Sequence, residues 1–224
     1  MAFTGFPAEA LTFYAGLEAD NSRTYWLEHK AVYDRQVKGV MLELAGALGD
    51  RFSPVYLFRP NRDVRFSKDK SLYKTACGAV HERDGGAIDY VQISSQGLFV
   101  ATGMYQLAKD QLERFRLALA DDDAGPAFSA AAAAVAVGKV ELRPGIEPPL
   151  KRAPRGFAPD HPRIEWLRWK GAIGAKEVGA PRWIHTAAAA KRIIDMWDAA
   201  EPLNQWLEQH VGPSRAMPDE ADVH

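Results

Sequence analysis

Residues 90–102, YVQISSQGLFVAT, decide how the rest of the chain is read. Tyr90, Gln92 and Ser94 alternate with Val91 and Ile93, the period of two that sends successive side chains to opposite faces of a strand. Gln96-Gly97 interrupts the pattern and Leu98 to Thr102 resumes it, so the stretch predicts a β-hairpin and with it an antiparallel sheet. Upstream, Val55-Tyr56-Leu57-Phe58 and Val64-Arg65-Phe66 flank Pro60 and predict two short extended segments around a kink. A further short strand is placed at 139–142.

Beyond this block the spacing turns helical. Pro7 to Ala19 sets Ala10, Leu11, Phe13, Tyr14 and Leu17 at helical intervals, with Pro7 suited to a first turn. Asn21 offers an N-cap to the longest helix, predicted over residues 22–48 and closed near Gly49. Leu107 to Ala120 forms another helix, ended by three aspartates and Gly125-Pro126; an alanine-rich helix follows over 127–137. Residues 164–169, 181–197 and 203–211 complete the helical set. Residues 143–162 hold six prolines and predict a long extended crossing or a mobile loop. Parallel βαβ alternation is not evident. The expected fold is therefore α+β: a small, mainly antiparallel sheet packed by several flanking helices, in a single domain over 1–211 with a disordered tail over 212–224.

Composition narrows the function classes. A domain of 224 residues buries roughly 70% of its unfolded surface and needs no covalent staple. Hydrophobic residues make up 47% and charged residues 25%, the balance of a soluble globular protein. The single cysteine, Cys77, has no internal partner and is read as a packed core thiol, which fits a reducing cytoplasm. The first twenty residues lack a basic, then apolar, leader pattern, and no window approaches the ~18 apolar residues of a membrane span, so neither export nor a membrane partner is expected.

Charge supplies the strongest functional signal. Arg59 to Lys74, RPNRDVRFSKDKSLYK, sets Arg59, Arg62, Arg65, Lys68, Lys70 and Lys74 against Asp63 and Asp69, a local charge of +4 in a chain of formal charge −1. Val64 and Phe66 are expected to tie the stretch to a core, leaving Asp63 and Arg65 on the open face, where Asp63 orients an arginine. Ser67, Asp69 and Ser71 suit a turn that holds backbone NH groups. A second segment, Lys151 to Lys170, also sums to +4, setting Lys151, Arg152, Arg155, Arg163, Arg168 and Lys170 against Asp160 and Glu165. If the two segments meet they form one electropositive cleft in an otherwise acidic surface; if not, they are two solvated faces with local ion pairs. Tyr90 and Gln92, which share a strand face with Ser94, are candidates to line the same pocket, with Tyr73 and Tyr105 nearby in sequence.

The segments FRPNRDVRFSKDKSLYK (58–74), YVQIS (90–94) and LKRAPRGFAPDHPRIEWLRWK (150–170) resemble the uncharacterised bacterial and fungal family called domain of unknown function 2461. The resemblance runs over nearly the whole chain, roughly residues 3–210, and departs from the family pattern at Asn61 and Leu72, which leaves the charges intact. It implies one domain with both basic segments in its signature, and no established activity.

The expected function is a soluble binding domain, with an enzyme kept open, that holds a phosphate- or carboxylate-bearing small ligand through Arg59, Arg62, Asp63, Arg65, Lys68, Lys70, Lys74, Tyr90, Gln92, Arg152, Arg155 and Arg168. The alternatives are nucleic-acid binding, with Tyr73, Trp166 or Trp169 stacking on bases, and an interaction module built on a structural Arg/Asp network. Near-neutral net charge weighs against nucleic acid. No cofactor is called for. His81, Glu82, Asp84 and Asp89 form only a loose cluster with no metal-ligand spacing, His161 and His185 are read as structural, and no P-loop, GxGxxG, GxSxG or HExxH motif occurs. Oligomeric state is not legible.

Overall fold

The hairpin that organises the sequence is the middle of a six-stranded sheet. In the computed structural model, residues 2–63, 65 and 69–215 are described. Strands β1 (Tyr56–Leu57), β2 (Ala76–Glu82), β3 (Ile88–Ser94), β4 (Gly97–Met104), β5 (Glu141–Arg143) and β6 (Ala172–Gly179) lie in the order β1-β2-β3-β4-β6-β5. Antiparallel registers set Tyr56 opposite Val80 and Leu142 opposite Gly174. Eight α-helices accompany the sheet among the described residues: α1 (Ala8–Ala19), α2 (Arg23–Val32), α3 (Val40–Leu48), α4 (Lys109–Ala120), α5 (Ala124–Val137), α6 (Ile164–Leu167), α7 (Ala188–Ala199) and α8 (Glu201–His210). The fold is α+β. Among the described residues no helix is long and apolar enough to cross a membrane.

The β3–β4 connection follows the sequence signal. Ser94 Oγ accepts from the Gln96 N–H at 3.2 Å, and Gly97 leaves the turn at φ +100°, where a β-carbon would collide with the Gly179 carbonyl. On β3, Val91 and Ile93 are buried while Tyr90 and Gln92 are half-buried, the alternation expected of a strand with one open face.

The chain divides into two compact units. The first comprises the described residues of Met1–His81, Tyr90–Val100 and Lys176–Asp195; the second comprises those of Glu82–Asp89, Ala101–Ala175 and Met196–His224.

In the first unit, α2 and α3 are joined through a π-helical stretch, Tyr33–Gly39, so the predicted long helix is continuous from Arg23 to Leu48 but widened in its middle. Its N-cap is Ser22, whose Oγ accepts the Tyr25 N–H at 3.1 Å, not Asn21 as the sequence implies. Phe13 is the hub of an aromatic core, with ring centroids 5.1 Å from Tyr14, 6.0 Å from Trp26 and 5.8 Å from Tyr33. The helix expected over 181–197 is broken into a 3₁₀ turn, Arg182–His185, and α7. The reason lies in Phe6, whose N–H donates to Ile184 O at 2.8 Å and whose carbonyl bonds His185 Nδ1 at 2.6 Å, while Thr186 is extended between the two pieces.

In the second unit, Phe115, Phe128 and Trp206 meet edge to face, Phe128 to Trp206 at 4.7 Å, and the Trp206 indole donates to Ala124 O at 2.8 Å. Asp121 accepts from the N–H groups of Asp123 and Ala124, which starts α5 three residues before the predicted 127 and leaves Pro126 in the first turn, where its missing N–H is harmless. Asp89, Thr102 and Asn204 are buried together: Thr102 Oγ1 lies 2.7 Å from Asp89 Oδ1, and Asn204 Nδ2 donates to Thr102 Oγ1 at 2.8 Å. Arg83 donates to both carboxylate oxygens of Glu201 at 2.9 Å and pairs with Glu208 at 2.7 Å. The proline-rich crossing is built, with Leu150 N–H on Arg168 O at 2.9 Å and turns at Phe157 and His161. Residues 212–215, expected as the start of a tail, are instead strapped to α4: Gln111 donates to Gly212 O, Arg114 to Val211 O and Pro213 O, and Asp110 accepts from Ser214 and Arg215. The rest of the predicted tail lies outside the described residues.

Candidate functional site

The first basic segment forms the arms of a hairpin that extends the β1–β2 pair. Phe58 N–H donates to Gly78 O at 3.0 Å, Lys74 N–H to Pro60 O at 2.8 Å and Arg62 N–H to Leu72 O at 2.9 Å, with Asn61 bridged to Tyr73. Val64 and Phe66, the predicted core anchors, lie outside the described residues, as do Ser67 and Lys68. The anchor that is seen is Tyr73. Its ring stacks on Trp26 at 4.4 Å and 8°, and Asn21 grips its backbone, accepting the N–H at 2.8 Å and donating to the carbonyl at 3.1 Å. Nothing in the spacing of Asn21, Trp26 and Tyr73 announces this contact, because the hydrogen bonds span 52 residues.

Two of the segment's arginines are committed to its own aspartates. Arg65 makes a forked contact with Asp63, Nη2 to Oδ2 at 2.7 Å and Nε to Oδ1 at 3.1 Å, and Arg62 pairs with Asp69. Asp63 also accepts the Arg65 backbone N–H, and these bonds hold its carboxyl near pKa 2. Asp69 accepts the Ser71 N–H at 2.9 Å, the expected turn contact, and with Arg62 nearby its pKa is likewise lowered. Arg59 and Lys74 stand differently: among the described residues neither has an ion-pair partner. The Lys74 ammonium lies 5.1 Å from the centre of the Phe58 ring, and partial burial, then the charges of Arg59 and Arg62, lower its pKa. Lys70 is exposed.

The open face of the sheet continues from Phe58. Its ring centre is 6.2 Å from that of Tyr90, which is 6.1 Å from that of Phe99. The Tyr90 hydroxyl donates to Gln92 Oε1 at 2.8 Å and sits where any side chain at Gly78 would have to go. Tyr90 and Gln92 thus join each other, and Phe58 joins them, as residues on one strand face predict. Ser94 is used within the hairpin turn. Cys77 is buried, and burial pushes its thiol up to about 12, the behaviour of an inert core group.

The second basic segment belongs to the second unit and is largely structural. Arg163 caps the C-terminus of α4, donating to the carbonyls of Leu119, Ala120 and Asp121, and the bare Gly125 leaves room for its guanidinium. Arg168 pairs with Glu165 at 3.2 Å and Lys170 with Glu147 at 2.5 Å. Arg152 and Arg155 are exposed. Trp166 packs on Phe128 at 4.9 Å, so it helps close the core. The histidines are engaged locally, His161 with the Arg163 N–H and His81 with Pro54 O. Among the described residues no three of His, Cys, Asp and Glu could hold a metal ion.

No curated protein and no solved structure matches the chain. The family model for the conserved hypothetical proteins of DUF2461 matches residues 9–206, a span that takes in the hairpin, the sheet and the proline-rich crossing. The chain belongs to the DUF2461 family of conserved hypothetical proteins.

Proposed function

We propose that the hairpin from Tyr56 to Lys74 binds a phosphate- or carboxylate-bearing small ligand, with Arg59, Arg62 and Lys74 as its cationic contacts. The observation that carries this reading is the gathering of these three cations on paired strands with, among the described residues, one carboxylate, Asp69, as an ion-pair partner. Arg59 and Arg62 each disfavour the charged form of Lys74, and an anion placed among the three relieves that repulsion. Arg65 is tied to Asp63 and acts through the local field. The expected setting is the cytoplasm, where the lone buried thiol of Cys77 stays reduced.

A second reading is favoured by the Arg62–Asp69 and Arg65–Asp63 pairs: a local ion-pair network that shapes the loop without a ligand. Thermal-shift measurement separates the two. The binding reading predicts that orthophosphate, pyrophosphate or a sugar phosphate raises Tm in the native protein and fails to do so in the Arg59→Gln/Lys74→Met double variant. The network reading predicts no response to any anion, together with a Tm lowered by Arg62→Gln.

A further inference from the structure

Exposed aromatic rings are concentrated beside Arg59 and Lys74. Among the described residues three large aromatic side chains are exposed, and two of them, Tyr56 at 55% and Phe58 at 44%, stand two residues apart beside Arg59, on the same side of an extended strand. Leu72, across from Arg62, is exposed as well. A site for a bare inorganic anion has no use for these surfaces, since phosphate is held by guanidinium, ammonium and backbone N–H groups. A ligand with an apolar ring has.

The surroundings of Phe58 give that ring a fixed platform. Tyr90 supports it from β3, across Gly78 of the intervening β2, and Tyr90 is itself fixed by the Gln92 hydrogen bond and by the space that Gly78 leaves open. The Lys74 ammonium stands 5.1 Å from the Phe58 ring centre, so a ring resting against Phe58 brings any phosphate attached to it into reach of Lys74, on which the charge of Arg59 also acts. We infer that the ligand of this hairpin carries a planar aromatic ring together with its anionic group, as a nucleoside monophosphate does, with the ring against Phe58 and the phosphate at Lys74 and Arg59. The inference rests on the anion-binding reading above and adds the class of ligand.

The test is calorimetric titration of the full chain, at low salt, with AMP, ribose 5-phosphate and orthophosphate, repeated on Phe58→Leu and Lys74→Met. AMP is expected to bind about tenfold or more tighter than ribose 5-phosphate, the scale of one base stacked on an aromatic side chain. Phe58→Leu abolishes that preference, so that AMP and ribose 5-phosphate bind alike; Lys74→Met weakens all three. Equal affinities for AMP and ribose 5-phosphate, or a preference that survives Phe58→Leu, overturn the ring and leave the anion site standing. Binding of an adenine oligonucleotide without binding of AMP also overturns it, in favour of a polymer. Absence of binding by any of the three small probes removes the anion site as well.

Discussion

Replacing Asn21 by alanine should loosen the candidate site from its support without touching a single basic residue. The side chain exchanges two hydrogen bonds with the Tyr73 backbone, at 2.8 and 3.1 Å, in a part-buried position under the Trp26–Tyr73 stack. At about 1 kcal/mol net for each bond, the loss is about 2 kcal/mol. For a chain of this length that corresponds to a fall in Tm of about 4–8 °C. Asn21→Asp keeps the acceptor for the Tyr73 N–H and loses the donor, so it should fall between the two. The assay is urea unfolding of wild type and both variants, with Tm by calorimetry as a check. If Asn21→Ala shifts stability by less than about 0.3 kcal/mol, within the range of neutral surface changes, then the Asn21 clamp does not hold the hairpin and the reasoning fails.

Three further outcomes follow from the same contacts. Arg163→Ala leaves the last carbonyls of α4 without their donor and should cost about 2–4 kcal/mol in chemical unfolding; Arg163→Lys should recover little, since an ammonium lacks the fork that reaches three carbonyls. Asp110 is held below the ordinary carboxylate range, first by the Arg215 N–H, then by the Ser214 hydroxyl, with Arg114 adding to them. Its native pKa is depressed, so its stabilisation is fully present above the unfolded value of about 3.9 and fades as pH falls below it; the Tm difference between wild type and Asp110→Asn should be constant near neutrality and shrink in acid. Cys77, with its thiol pushed up to about 12 and its side chain buried, should not react with a disulfide reagent at pH 8 until the protein unfolds; rapid labelling of the native protein would contradict that placement.

The parts of the fold written in local pattern were readable. The β3–β4 hairpin announces itself through strict alternation and Gln96-Gly97, and α1, α4 and the Arg23–Leu48 helix through apolar spacing. What local pattern does not carry was missed. Strand β6, AIGAKEVG, has the alanine and glycine of a poor strand former and takes its conformation from the sheet; in the second unit its first half pairs with β5. The break between Arg182–His185 and α7 comes from a contact with Phe6, far away in sequence.

The site divides in the same manner. Charge density picked out the Arg59–Lys74 segment, and face-sharing picked out Tyr90 and Gln92, which hydrogen-bond to one another. The Asp63–Arg65 bridge was legible because it joins residues two apart. The grip of Asn21 and Trp26 on Tyr73 was not, and Asn21 looked like a helix cap because that is what asparagine before a helix does locally. Charge counting does not show how Arg163 is used: it caps the α4 carbonyls, and a cation spent on a helix terminus adds to a segment's sum like any other.

An anion seated among Arg59, Arg62 and Lys74 would register in the titration of the Lys74 ammonium, followed by NMR on its side-chain nitrogen. In the free protein burial and the two arginines hold that pKa below the ordinary lysine value. Saturating pyrophosphate should raise it, as a negative group neutralises the arginines and pairs with the ammonium, and the Arg59→Gln variant should start higher and move less. A Lys74 pKa that does not move with pyrophosphate at any accessible concentration would mean that no anion binds there and leave the Arg62–Asp69 and Arg65–Asp63 pairs as a purely structural network.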